Sequence, residues 1–260
     1  MKAKKIVTVL LTAIVFLSAA FLGVSAVYRV EEVTLVTHNV SAAAETEAEQ
    51  LKAQLEKAYL KRSTILADDA AAKEAIAAFA YFRLTGFEKD YPGRLIVTAT
   101  EDIETYAVAR GENYAIYSAE GTLLSVRESK KNRADGTDNL TVLGIKSAEE
   151  SAGAESGAGN FADTAVFSVL RALDLSLSGI RGNVTKAELV KPTSRPQDDY
   201  LTVFFREGVQ AVIYAPDSFP QEKAAALYKT YAEELTLFQR TCGTIYVSLD
   251  CSAHYQRSDG

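Results

Sequence analysis

The period of the apolar positions changes several times along the chain, and each change marks an element. From Ile6 to Val27 there are 22 uncharged, mostly apolar residues in a row. Val30, Val33, Leu35 and Val36 then give residues 28–37 a β-branched setting that predicts a strand. Ala44, Ala48, Leu51, Leu55 and Tyr59 recur at helical spacing, so an amphipathic helix is expected over 42–60, with Ser41 as its N-cap and Glu45 and Glu47 in its positive first turns. A shorter helix starting at Asp68 or Asp69 would turn Ala72, Ile76 and Phe79 to the same core. Phe82, Leu84 and Phe87 mark one strand, and Leu95, Val97 and Ala99 alternate along the next. Between them Pro92 fixes φ and Gly93 relaxes it, which suits a turn.

The second half is richer in strands. They are expected at 104–110, 114–118, 122–126, 140–145, 183–189, 200–206 and 210–214, with Glu207 and Gly208 as a hairpin turn before the last of these. Helices are expected at 163–173 and at 221–238, the latter striped by Ala224, Leu227, Tyr231 and Leu235. A closing strand over Thr244–Cys251 alternates Ile245, Val247, Leu249 and Cys251 with Tyr246, Ser248 and Asp250. Residues 127–139 are polar and 147–160 are rich in Ser, Ala, Gly and Glu, so both are expected as flexible segments. The expected fold class is α+β: an N-terminal transmembrane helix, a small β-α-α-β-β domain, and a mixed α/β domain with a mainly antiparallel sheet. The implied divisions are 1–5 (tail), 6–27 (span), 28–101, 102–255, and 256–260 (tail).

Charge sharpens the picture at the N-terminus. Lys2, Lys4 and Lys5 precede the apolar run, which holds no acid, leaving 25 of the 28 basic residues against all 34 acidic ones in the remainder. An acidic domain of this kind lacks the electrostatic footprint of a nucleic-acid binder. A helix needs roughly 20 apolar residues to cross a bilayer, so the run suits a single-pass anchor, and its basic flank predicts the N-terminus inside and the rest outside. The alternative is a secreted transport or envelope-assembly protein whose signal peptide is cleaved after Ala26; the length of the run favours the anchor.

Candidate chemistry is sparse. His38 and His254 stand outside any motif, and no nucleophile elbow, zinc-protease helix or phosphate loop is present. Carboxylate pairs such as Asp68 with Asp69 suit caps and loops rather than acid–base work, which needs a pocket that shifts a pKa. No catalytic, cofactor-binding or metal-binding residue is assigned, and no small-molecule substrate. Cys242 and Cys251 flank one extended stretch, and nine residue steps of roughly 3.3 Å exceed the reach of a disulfide, so both are read as free thiols.

The segment from Phe79 to Glu101 carries a hydrophobic helix end, a strand, a turn with Lys89 and Pro92, a Leu95-Ile96-Val97 strand and the closing Glu101. It resembles the bacterial cell-division FtsQ/DivIB family, whose POTRA module has the order β-α-α-β-β. Further along, Ser118 to Gly121, Leu143 to Ile145, and Lys223 at the opening of the last helix resemble elements of that family's β domain, so the likeness runs from anchor to final strand. Thr37-His38 after the first strand, and Asp102 and Glu104 after Glu101, depart from its pattern. The resemblance implies a non-enzymatic scaffold of the divisome, in the cytoplasmic membrane at the division septum, with FtsB/DivIC-like and FtsL-like partners. In that family the last strand of the β domain takes the partner by strand addition, which implies a partner site at Tyr246, Ser248, Asp250, Cys251 and Ser252.

Overall fold

The structure is a computed structural model and describes residues 14, 16, 23, 27–38, 40–145 and 164–257. The chain divides into two compact units, Met1–Glu101 and Asp102–Gly260. The expected membrane-spanning helix over 6–27 lies almost wholly outside the described residues. Among those that are described, no helix is long and apolar enough to cross a membrane; the longest is an amphipathic one of 15 residues. The fold class is corrected accordingly to a mixed α/β architecture dominated by a nine-stranded sheet.

The first unit runs β1 (Glu32–His38), α1 (Glu45–Tyr59), α2 (Ala70–Ala77), β2 (Phe82–Asp90) and β3 (Arg94–Glu101). Its sheet has the order β1-β3-β2, with β1 parallel and β2 antiparallel to the central strand. Leu95, Val97 and Ala99 of β3 are fully buried beneath Leu51, Leu55 and Tyr59 of α1 and Ala72 and Ile76 of α2. The Tyr59 hydroxyl joins the two helices, donating to Asp68 O at 2.6 Å and accepting from Ala72 N at 2.8 Å. Ser41 is not the helix cap. Its N–H and hydroxyl donate to the buried Glu101 carboxylate at 2.6 and 2.9 Å, and the helix begins after Ala44 with no side-chain cap. A buried carboxylate outcompetes a helix N-terminus for those donors because it has no water to fall back on.

The second unit contains β4 (Glu104–Arg110), β5 (Asn113–Ser118), β6 (Leu123–Arg127), β7 (Leu140–Leu143), α3 (Thr164–Ser176), α4 (Ile180–Asn183), β8 (Val184–Val190), β9 (Tyr200–Phe205), β10 (Gln210–Tyr214), α5 (Pro220–Lys229), β11 (Thr244–Val247) and β12 (Ala253–Gln256). The sheet order is β12-β11-β10-β9-β8-β7-β4-β5-β6. Three neighbouring pairs are parallel: β4 with β7, β7 with β8, and β10 with β11. Parallel neighbours need a crossover, and α5 supplies the one between β10 and β11. Val166, Val169, Leu170 and Leu173 of α3 join Ala224 and Leu227 of α5 in one core with the strands. Gly144, at φ 77°, passes so close to the Leu189 carbonyl that a Cβ would collide with it, which accounts for glycine after Leu143.

Two further expectations need correction. The last helix does not run to Phe238. It leaves α geometry after Lys229, widens into a π turn over Thr230–Glu234 and becomes extended at Leu235. Tyr231 holds this widened turn: its ring stacks on Phe205 at 4.0 Å, and its hydroxyl donates to Glu207 at 3.1 Å. Burial, reinforced by Glu207, pushes that hydroxyl's pKa up to about 12.

Segment 127–139 is not a loose loop either. Asn132 N donates to Thr137 O at 2.7 Å and Asn139 N to Lys130 O at 3.0 Å, making a small hairpin. The hairpin closes on the buried Glu104 carboxylate, which accepts from Arg127 Nη2 at 2.6 Å, Arg133 N at 3.0 Å and Asn139 Nδ2 at 3.1 Å. The other expected flexible segment, 147–160, lies outside the described residues.

Candidate functional site at the C-terminal edge

The residues expected to hold a partner do not lie on one strand. β11 ends at Val247, so Tyr246 alone of the five belongs to it. Ser248, Asp250, Cys251 and Ser252 form a turn, after which the chain reverses into β12, antiparallel to β11. The strand stops for a local reason: Asp250 gathers the donors around it. Its Oδ1 accepts from the Ser248 hydroxyl, from Ser252 N at 3.1 Å and from Ser252 Oγ at 2.8 Å. Those bonds, led by Ser248, lower the Asp250 pKa to about 2. Cys251 takes a left-handed φ of 63° to close the reversal. Asp and Ser side chains that bond nearby backbone favour turns over ladders.

β11 is therefore flanked on both sides, by β10 and by β12, and β12 forms the sheet edge. Thr244, Ile245, Tyr246 and Val247 face Gln256, Tyr255, His254 and Ala253. Gly243, at φ 83°, permits this pairing, since a Cβ there would sit 2.6 Å from Gln256 O. Ser248 N donates to Ser252 O at 2.9 Å, which makes 248/252 a hydrogen-bonded pair. The alternation of antiparallel pairs then makes 246/254 and 244/256 hydrogen-bonded too. His254 and Gln256 thus spend their backbone groups on β11, and Ala253 and Tyr255 direct theirs to the open side.

Around this edge the hairpin is firmly set. Tyr246 stacks on His254 at 5.5 Å. The Tyr255 hydroxyl donates to Cys242 O at 3.1 Å, and burial together with the Cys242 side chain raises its pKa. Behind it, Lys223 of α5 is fully buried, and its ammonium donates to Tyr214 O at 2.7 Å and Ala215 O at 2.6 Å. Burial lowers the Lys223 pKa, opposed in part by Cys251 and Asp217. Leu249 at the turn and Leu237 and Phe238 before β11 are exposed, and the Arg257 guanidinium lies 5.4 Å from the Phe238 ring centre.

Such an arrangement offers backbone pairing, a few apolar contacts and no reactive constellation. Cys242 and Cys251 are both free thiols. Among the described residues, no group of three or more His, Cys, Asp or Glu side chains is placed to hold a metal ion. The residues the pattern missed are Ala253 and Tyr255. Their signal was the turn chemistry of Ser248, Asp250 and Ser252, which interrupts the alternation. A scan against protein-family models matches none of them, and a search of curated proteins finds no match.

Proposed function

We propose that this chain is a non-enzymatic scaffold of the bacterial division machinery, working at the cell membrane and the division septum. It recruits FtsB/DivIC-like and FtsL-like partners by adding a partner strand to β12. The observation that supports this best is the edge itself: a short strand ends the sheet, and the backbone groups of Ala253 and Tyr255 face outward. The resemblance of the sequence to the FtsQ/DivIB pattern supplies the biological setting.

Proline substitutions separate binding from folding. Ala253→Pro removes an outward N–H at the first residue of a strand, a position proline tolerates. His254→Pro removes an N–H that pairs with β11 and should loosen the hairpin. In pull-downs of the full-length protein from detergent-solubilised membranes, Ala253→Pro should lose the division partners that the wild-type protein captures, with an unchanged circular dichroism spectrum. Undiminished capture by a normally folded Ala253→Pro protein would rule out β12 as the site.

A further inference from the structure

The first unit's sheet also has two edges, β1 and β2, and they are built differently. β2 carries Arg83, Glu88, Lys89 and Asp90, and its pairing slips between Leu84 and Gly86. Charges and irregular pairing are the usual shields of an edge. β1 has neither along most of its length. From Val33 to Thr37 it is uncharged, contains no proline, and pairs with β3 without a break.

The chain entering β1 already shows how this side is used. Val30 N donates to Arg62 O at 2.8 Å, Lys61 N donates to Val30 O at 2.9 Å, and Thr64 N donates to Tyr28 O at 2.8 Å. Residues 61–64 thus lay down the first rungs of an antiparallel fourth strand. On the opposite side, Glu31 N donates to Gly93 O at 2.7 Å, toward β3. Glu32 N also donates to Gly93 O, at 3.3 Å, so Glu31 and Glu32 both face β3. Backbone groups alternate sides along the strand from Glu32 onward, which turns Thr34 and Val36 toward β3 and Val33, Leu35 and Thr37 outward. Beyond the last internal rung, a groove of about 290 Å³ opens between β1 and α1. Val33, Leu35 and Leu60 supply its apolar lining. Glu31, Glu32 and Glu56 line it too, against one cation, Lys52, which lies 3.9 Å from Glu56.

We propose that this groove takes an extended segment of another polypeptide, added to β1 as a fourth strand, with basic side chains opposite Glu32 and Glu56. Its position in the first unit makes it a different site from β12. The internal rungs of 61–64 fix where the guest strand must stop, so the guest pairs with Val33 and Leu35 rather than nearer the N-terminus. The acidic rim selects lysine or arginine on the guest face that meets α1, and the uncharged strand selects β-branched residues between them.

The test uses full-length protein and a fluorescent short peptide alternating valine and lysine, with a valine–glutamate peptide for comparison. Fluorescence anisotropy should show the lysine peptide binding at least tenfold more tightly, with an affinity that falls as salt rises. The double variant Glu32→Gln, Glu56→Gln should weaken it about tenfold and flatten the salt dependence. Leu35→Pro removes an outward N–H of an edge strand and should abolish binding with an unchanged circular dichroism spectrum. Should that variant fail to fold, a lysine peptide N-methylated on alternate residues, unable to pair along one side, serves instead and should not bind the wild-type protein. Ala253→Pro should leave lysine-peptide binding unchanged, so failure at β12 and failure here are told apart. Equal binding of the two peptides, binding by the N-methylated peptide, or full binding by folded Leu35→Pro would overturn the proposal.

Discussion

Two short polar segments of the second unit are each organised by one carboxylate, and they differ in their exposure to water. In 127–139, Glu104 gathers Arg127, the Arg133 N–H and Asn139 on its side chain, and Asn132 on its carbonyl at 2.8 Å. In 248–252, Asp250 gathers Ser248 and both the hydroxyl and the N–H of Ser252. Glu104 is buried and Asp250 is exposed. The bond counts are similar, but the consequences of losing the carboxylate are not. Donors released at Asp250 turn to water, whereas those released at Glu104 stay in the interior unsatisfied. Desolvation rather than bond number therefore sets how strongly each carboxylate dictates local structure.

The largest effect should come from breaking the buried member. Glu104→Ala removes the carboxylate that accepts from the buried Asn139 side chain and from the Arg133 N–H, and should cost about 3 kcal/mol or more, by analogy with the loss of one partner of a buried pair. Chemical denaturation measures that loss. Limited proteolysis should then cut 127–139 early in the variant and not in the wild-type protein. A wild-type protein nicked there first would show that Glu104 does not hold the segment.

Lys223 tests the same principle with the opposite charge. Its ammonium is buried behind the C-terminal hairpin, with backbone carbonyls as its hydrogen-bond partners. It also sits in the first turn of α5, where the helix dipole disfavours a cation. Lys223→Met should change stability by only about 1–2 kcal/mol, because the lost hydrogen bonds and the removed desolvation cost oppose each other. The pH dependence is more telling. A lysine whose folded pKa is lowered leaves the unfolded chain holding more protons. Its contribution to stability therefore rises from its lowered folded value up to the ordinary value of about 10.4. Denaturation midpoints should show this rise for the wild-type protein relative to Lys223→Met. Parallel pH profiles would mean that the ammonium is not desolvated.

Much of the framework was legible because its elements obey one period each. Leu51, Leu55 and Tyr59 marked α1, and Leu95, Val97 and Ala99 marked β3, since their spacing alone decides which face is buried. What failed were the places where a side chain overrides the period. Ser41 looks like a cap but spends its donors on Glu101, 60 residues away in sequence. Tyr231 continues a helical stripe but sits in a π turn, stacked on Phe205. The polar run 127–139 looked solvated because nothing in its own composition announces a buried carboxylate on β4. At the candidate site, Leu249 and Cys251 kept up an alternation that Asp250 breaks, which hid β12 and with it Ala253 and Tyr255. The apolar run at 6–27 was read as a spanning helix on length alone, a property of composition rather than of packing.

The smallest effect belongs to Asp250, and it is the sharpest check on the comparison. Its pKa, lowered to about 2 by the Ser248 and Ser252 donors, makes the sign definite. A carboxylate depressed in the folded state contributes stability that is fully present above its unfolded value of about 3.9. That contribution is lost as pH falls through the folded value. Because the turn is exposed, the loss should be local. Between pH 4 and 2 the amides of Cys251 and Ser252 should lose hydrogen-exchange protection while those of β11 keep theirs, and Asp250→Asn should remove the pH dependence of the turn. Carboxyl carbon shifts followed by nuclear magnetic resonance read the titration directly. An Asp250 carboxyl titrating at the ordinary value would mean that the gathered donors do not persist in solution. The turn would then be set by the β11–β12 pairing alone, and Asp250 would no longer be a counterpart to Glu104.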